Sequence, residues 1–159
     1  MIDFFPALDK TAKRRRPKAG VGDRIRRFIA DQEGIISSIA TGNFIREVSF
    51  NGVSFPEAIY KFGRTPIAHE GELDPRLQFN STGTLEIGHV WNLPSSYIPA
   101  LCVGVMVAPE NAYESIGTPL AIALFGRQFA ANELWGAEDM IKQFISDTFR
   151  RPDLFAKMA

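Results

Sequence analysis

Apolar residues along this chain recur mostly at helical spacing. Ile25, Phe28, Ile29, Ile35, Ile36 and Ile39 include pairs three, four and seven residues apart, which predicts an amphipathic helix over 23–41. Asp23 stands where an N-cap is wanted and Gly42 where a helix stops. After an ambiguous stretch, 45–50, and a turn at Asn51-Gly52, the run Ser54-Phe55-Pro56-Glu57 reads as a capping box with proline in the first turn. It opens a helix carrying Ile59, Tyr60 and Phe62 that is expected to end at Gly63. The alternation in 77–80 and 84–87 around Ser81-Thr82-Gly83 predicts a small hairpin. A strongly apolar helix is expected over 97–107, a strand at 120–125 before Gly126, and an amphipathic helix over 137–150 with Met140, Ile141, Phe144, Ile145 and Phe149 on one side. The sum is a mainly α fold, about four helices in a bundle with a small β-hairpin insertion.

The remaining composition narrows the class. The 159 residues, 45% of them apolar, suit one domain with a real core. The longest apolar run, 98–108, is interrupted by Pro99 and Gly104 and falls well short of the roughly 20 residues that a membrane helix needs. The first residues lack the charged start and continuous apolar stretch of a secretory signal, and Cys102 is the only cysteine, so a reducing cytoplasm is the expected compartment. Neither a phosphate-binding glycine loop nor a G-x-S-x-G elbow occurs, and Cys102 sits where a thiolate would be disfavoured. His89 reads as a packing or surface residue, and the two histidines have no partners at metal-ligand spacing, so neither a metal nor a cofactor is expected.

Net charge is zero, but unevenly spread. Residues 1–27 hold nine basic side chains against three acidic, and the rest of the chain nine against fifteen. The cluster Lys13, Arg14, Arg15, Arg16 and Lys18, followed by Gly20 and Gly22, predicts a basic, extended arm over 1–22 ahead of one domain at 23–159. Such an arm suits a phosphate backbone; it equally suits a solvated tail, or the acidic body of a second subunit.

The chemistry concentrates in Arg64-Thr65-Pro66-Ile67-Ala68-His69-Glu70-Gly71. On an unbroken helix Arg64 and His69 would point about 140° apart. With Thr65 as N-cap and Pro66 as first helical residue, both would instead face the same helix end, whose free N–H groups favour an anion. A purely structural alternative pairs Arg64 with Glu70, Glu72 or Asp74.

This Arg-x4-His arrangement between predicted helices resembles the HEPN superfamily (higher eukaryotes and prokaryotes nucleotide-binding domain). The resemblance implies a homodimer whose motifs meet across a cleft and a metal-independent endoribonuclease of toxin or phage-defence type. Its substrate would be RNA, and an antitoxin or other protein its partner. His69 would move a proton at the ribose 2′-hydroxyl or the leaving oxygen, Arg64 would bind the scissile phosphate, and Thr65 and Glu70 would orient them. The alternatives are a non-catalytic HEPN-like module that binds nucleic acid or dimerises, and an unrelated domain. Asn132 or Glu133 is expected to close a turn, with Trp135 packing the last helix.

Overall fold

The computed structural model describes residues 4–156. Six α-helices alternate with seven short strands in three small sheets: α1 (Phe4–Arg15), α2 (Val21–Thr41), β1 (Ser49–Phe50), β2 (Val53–Ser54), α3 (Phe55–Ala58), α4 (Thr65–Glu70), β3 (Leu77–Asn80), β4 (Glu86–Ile87), β5 (Trp91–Pro94), α5 (Tyr97–Met106), β6 (Ala121–Leu124), β7 (Arg127–Ala130) and α6 (Glu138–Phe149). The fold is therefore α/β, and the expected helical bundle with one hairpin is corrected. Residues 77–80 and 86–87 are extended as anticipated but do not pair with each other. β5 lies between them, parallel to β3 and antiparallel to β4. Asn80 makes the separation possible: its side chain accepts from the backbone N–H groups of Thr82 and Thr84, turning the chain without a ladder.

Two helices form the spine. α2 and α5 each bury residues on both sides, so they join two apolar clusters. Phe28, Ile29 and Ile36 of α2 and Leu101 and Val105 of α5 enter the first, with α1, Phe55, Ile59, Leu77 and Trp91. Ile35 of α2, Val103 of α5 and Val107 just beyond its end enter the second, with Leu124 and Phe129 of the β6–β7 hairpin and Ile141 and Ile145 of α6. Gly104 permits the close approach of the spine helices, since a Cβ there would stand 3.0 Å from Ile36. The fully buried Gln32 donates from Nε2 to the Gly104 carbonyl at 2.8 Å, satisfying that carbonyl, while its Oε1 has no donor among the described residues. Gly136 cannot be replaced so cheaply: its φ is +71° and a Cβ would lie 2.6 Å from the Ala112 backbone.

The expected arm over 1–22 is also corrected. Residues 4–15 form α1, and Phe4, Phe5, Leu8, Thr11 and Ala12 are buried along one stripe of it. That helix belongs to the same apolar cluster as α2, α3 and α5. Residues 1–3 of the proposed arm, and 157–159 of the proposed domain, lie outside the described residues.

Candidate functional site

Ser54 caps the site helix as its sequence suggests, accepting from the Glu57 N–H at 3.2 Å. The helix does not stop at Gly63. It widens into a π-helical stretch, Ile59–Arg64, and runs directly into α4. Pro66 explains the widening. A proline inside a helix lacks the N–H for the carbonyl four residues back and its ring crowds that carbonyl. Here the carbonyl is that of Phe62, and it accepts from the Asp74 N–H at 2.9 Å instead. Meanwhile the Thr65 N–H reaches back five residues, to Tyr60. Gly63 stays inside the helix because it faces the Phe5 ring, 3.0 Å from where a Cβ would sit. The true stop is Gly71, left-handed at φ +75°, whose N–H closes on the Ile67 carbonyl.

The continuity removes the shared helix end expected at Thr65. Arg64 and Thr65 are both right-handed helical, and Thr65 makes no capping bond. Arg64 and His69 are thus five residues apart on one helix and diverge by about 140°. No free N–H cluster lies between them. Within one chain the motif does not converge on a single ligand.

Each motif residue has a definite setting. Arg64 is half-buried and turns towards α1, donating from Nε and Nη2 to Asp9 Oδ2 at 3.3 and 3.0 Å. Its Nη1 forms no hydrogen bond among the described residues. Asp9 Oδ1 is sealed from solvent and has no donor. The ion pair therefore carries one unused donor and one unused acceptor. His69 and Glu70 are exposed, Thr65 is partly buried, and no residue of α4 is fully buried. None of the three acids considered as partners of Arg64 takes it. Asp74 is bound by Arg76 at 2.7 Å, which holds its carboxyl down at about 2. Asp9 was not foreseeable from local sequence, for it stands 55 positions upstream on an element read as extended.

The basic cluster divides in two. Arg15 grips Glu110 with both arms of its guanidinium, Nε to Oε1 at 2.8 Å and Nη2 to Oε2 at 3.0 Å, and also meets Asp31 and Glu138. Arg16 pairs with Asp31 at 2.8 Å, and Arg14 with Glu114 at 3.1 Å and with Asn111. These three are taken by acidic groups of α2, α6 and the segment after α5. Lys13 and Lys18 are exposed and form no ion pair among the described residues.

Other polar groups have structural settings. Glu33 is buried at 5% exposure, and burial pushes its carboxyl up against the opposing pull of the Glu47 and Val48 N–H groups. Burial likewise pushes the Cys102 thiol up. His89 is exposed, edge-on to Phe50. Asn132 bonds both the N–H and the carbonyl of Ile116, and Glu133 accepts from the Ala130 N–H, so both close turns where one was expected to. No helix of the described residues is long and apolar enough to cross a membrane.

A sequence model of the family described as Rv1289 matches residues 1–156. The uncharacterized protein Rv1289 of Mycobacterium tuberculosis (strain ATCC 25618 / H37Rv) is 24% identical over 168 aligned positions, covering 92% of this chain and 78% of that protein. Uncharacterized proteins MT1327 of M. tuberculosis (strain CDC 1551 / Oshkosh) and Mb1320 of M. bovis are similar to the same extent. No solved structure matches this chain.

Proposed function

The chain belongs to the Rv1289 family, and we propose that it acts on RNA as a homodimer, with Arg64 and His69 forming a metal-independent ribonuclease site that is complete only between two subunits. The observation that carries this reading is the setting of α4. It presents His69 and Glu70 to solvent, has no fully buried residue, and begins at an arginine already oriented by a carboxylate. Since the two side chains diverge along one helix, an arginine and a histidine can converge only if they come from different copies, which a two-fold axis beside α4 accomplishes.

In that cleft Arg64 Nη1, unengaged by Asp9, would bind a phosphate oxygen and stabilise the charge that builds on it. The ribose 2′-oxygen attacks phosphorus and the 5′-oxygen leaves. His69 takes the 2′-hydroxyl proton or supplies the one that the leaving oxygen needs. The products are a 2′,3′-cyclic phosphate and a 5′-hydroxyl.

The test is cleavage of labelled RNA in EDTA. Arg64→Ala and His69→Ala should each lose cleavage while His69→Ala keeps the wild-type melting temperature. Mixing the two inactive variants should restore activity, because each heterodimer then holds one intact site. Cleavage that survives His69→Ala, or no recovery on mixing, would refute the cross-subunit site. A second reading, a non-catalytic binding or dimerisation module, is favoured by the Arg64–Asp9 pair itself, which gives Arg64 a structural role. It predicts RNA binding or dimerisation, without cleavage, that tolerates His69→Ala.

A further inference from the structure

The stretch 116–126 carries no charged side chain and ends in a two-residue turn, Phe125-Gly126, left-handed at φ +51° and +78°. That turn sets the ladder between β6 and β7. Leu124 faces Arg127 across it, and the Leu120 carbonyl accepts from the Ala131 N–H at 2.7 Å. The even-numbered residues of β6 therefore bond to β7, and the odd-numbered ones turn their backbone groups away. Those are Ala121 and Ala123. Both are exposed, and their N–H and C=O groups form no hydrogen bond among the described residues. Their methyl groups are too small to screen the backbone, and β6 has no strand on that side.

The other edge of the hairpin is protected. Arg127 brings charge to β7, and Glu133 occupies the outward Ala130 N–H at 2.7 Å. Charge and capping keep an edge strand from pairing, and β6 has neither. The next outward position is Pro119, which has no N–H, and at the far end Phe125 already belongs to the turn. The open edge is thus Ala121 and Ala123 alone, donors and acceptors placed evenly about Ile122.

We propose that β6 pairs antiparallel with β6 of a second copy of this chain, about a two-fold axis through Ile122. In that register Ala121 of each copy meets Ala123 of the other, four backbone hydrogen bonds form, and no edge group is left over. Sliding one strand by two residues sets Ala123 against Pro119, which has no N–H to give, or Ala121 against the turn. Leu120, 54% exposed, comes opposite Leu124 of the second copy, and no charge meets its like. The product is a four-stranded sheet whose outer strands are both the protected β7, so association through this edge closes at two copies. The interface uses no residue of α4 and does not rest on the ribonuclease reading.

Sedimentation equilibrium of the intact chain over a concentration series tests it. Ala123→Pro removes an outward N–H and no bond to β7, so it should halve the mass. Ala123→Lys, which sets like charges on the shared edge, should do the same and carries the test if the proline variant does not fold. Gln128→Pro makes the same change on the outward edge of β7 and should leave the mass unchanged. If α4 also pairs, the fall is from four chains to two instead of from two to one, so the two interfaces are read apart. A cross-link reads the register. In a Cys102→Ser background, Ile122→Cys should oxidise to a covalent dimer, because residue 122 meets itself across the axis with Cα atoms about 4.5 Å apart, within disulfide reach. Leu120→Cys should not. The proposal is overturned by a wild-type mass of one chain throughout, by a mass that Ala123→Pro and Ala123→Lys leave unchanged, or by a link through Leu120→Cys in place of Ile122→Cys.

Discussion

α1 and α4, with the Arg64 that leads into it, are both short helical segments lying against the same apolar cluster, yet they use their charge in opposite ways. α1 buries five residues, and its arginines close on Asp31, Glu110, Glu114 and Glu138. α4 fully buries none; His69 and Glu70 stand free and Arg64 has a single partner. A cation already matched by acidic groups of its own fold must lose them before it can serve a phosphate, and gains little from the exchange. One left in solvent, or with an unused donor, has nothing to give up. The local count of basic residues is thus a poor guide to where a nucleic acid would bind. By that count the 13–18 cluster dominates, but the structure leaves only Lys13 and Lys18 of it unpaired among the described residues.

The largest effect that would break this contrast is on packing. Leu8 is fully buried, so Leu8→Ala should cost about 3 kcal/mol in urea unfolding, where a solvated arm would lose nothing. Next comes the clamp. Arg15→Ala strands Glu110, while Glu138 keeps Lys142 at 2.8 Å, and should cost about 2 kcal/mol, less than a fully buried pair because 15% of the Arg15 side chain still meets solvent. The same variant has a pH signature. The Arg15 guanidinium holds the Glu110 carboxyl below the usual carboxylate range, so its contribution is present above that range and is lost as pH falls through the depressed value. Arg15→Ala should therefore flatten the acid limb of the stability curve, as read by melting temperature between pH 7 and pH 3. The smallest effect sharpens the other side: His69→Ala should change stability by under about 0.5 kcal/mol, since no packing depends on it. A large loss there would show that α4 is a structural element after all.

Much of the helix content was legible from periodicity. α2, α5 and α6 fall within a residue or two of their expected spans, because each carries apolar residues to bury at helical spacing. α1 carries the same signal, apolar or small residues at 4, 5, 8, 11 and 12, but its basic end and the following glycines suggested an arm. The polarity of one helix face was mistaken for the polarity of the segment. The strand pairings were less accessible. Two-residue and four-residue strands hold too little pattern to name their neighbours, and the insertion of β5 between β3 and β4 depends on contacts across a turn. The site was half legible. Arg64, His69 and Glu70 stood out by type and spacing, but nothing near them pointed to Asp9.

What the sequence determines alone is local: which stretches have a face to bury, where Ser54 starts a helix and Gly42 ends one, and where charge is dense. Tertiary structure decided the rest, because it sets what each side chain meets. It placed four acidic groups against Arg14, Arg15 and Arg16 and so turned a basic run into a docked helix. It also let Asp74 serve the Phe62 carbonyl that Pro66 cannot, keeping the helix continuous and sending Arg64 and His69 to different sides. Helix propensity is summed along neighbouring residues, whereas pairing of charge and satisfaction of a freed carbonyl depend on groups far apart in the chain that only the fold brings together.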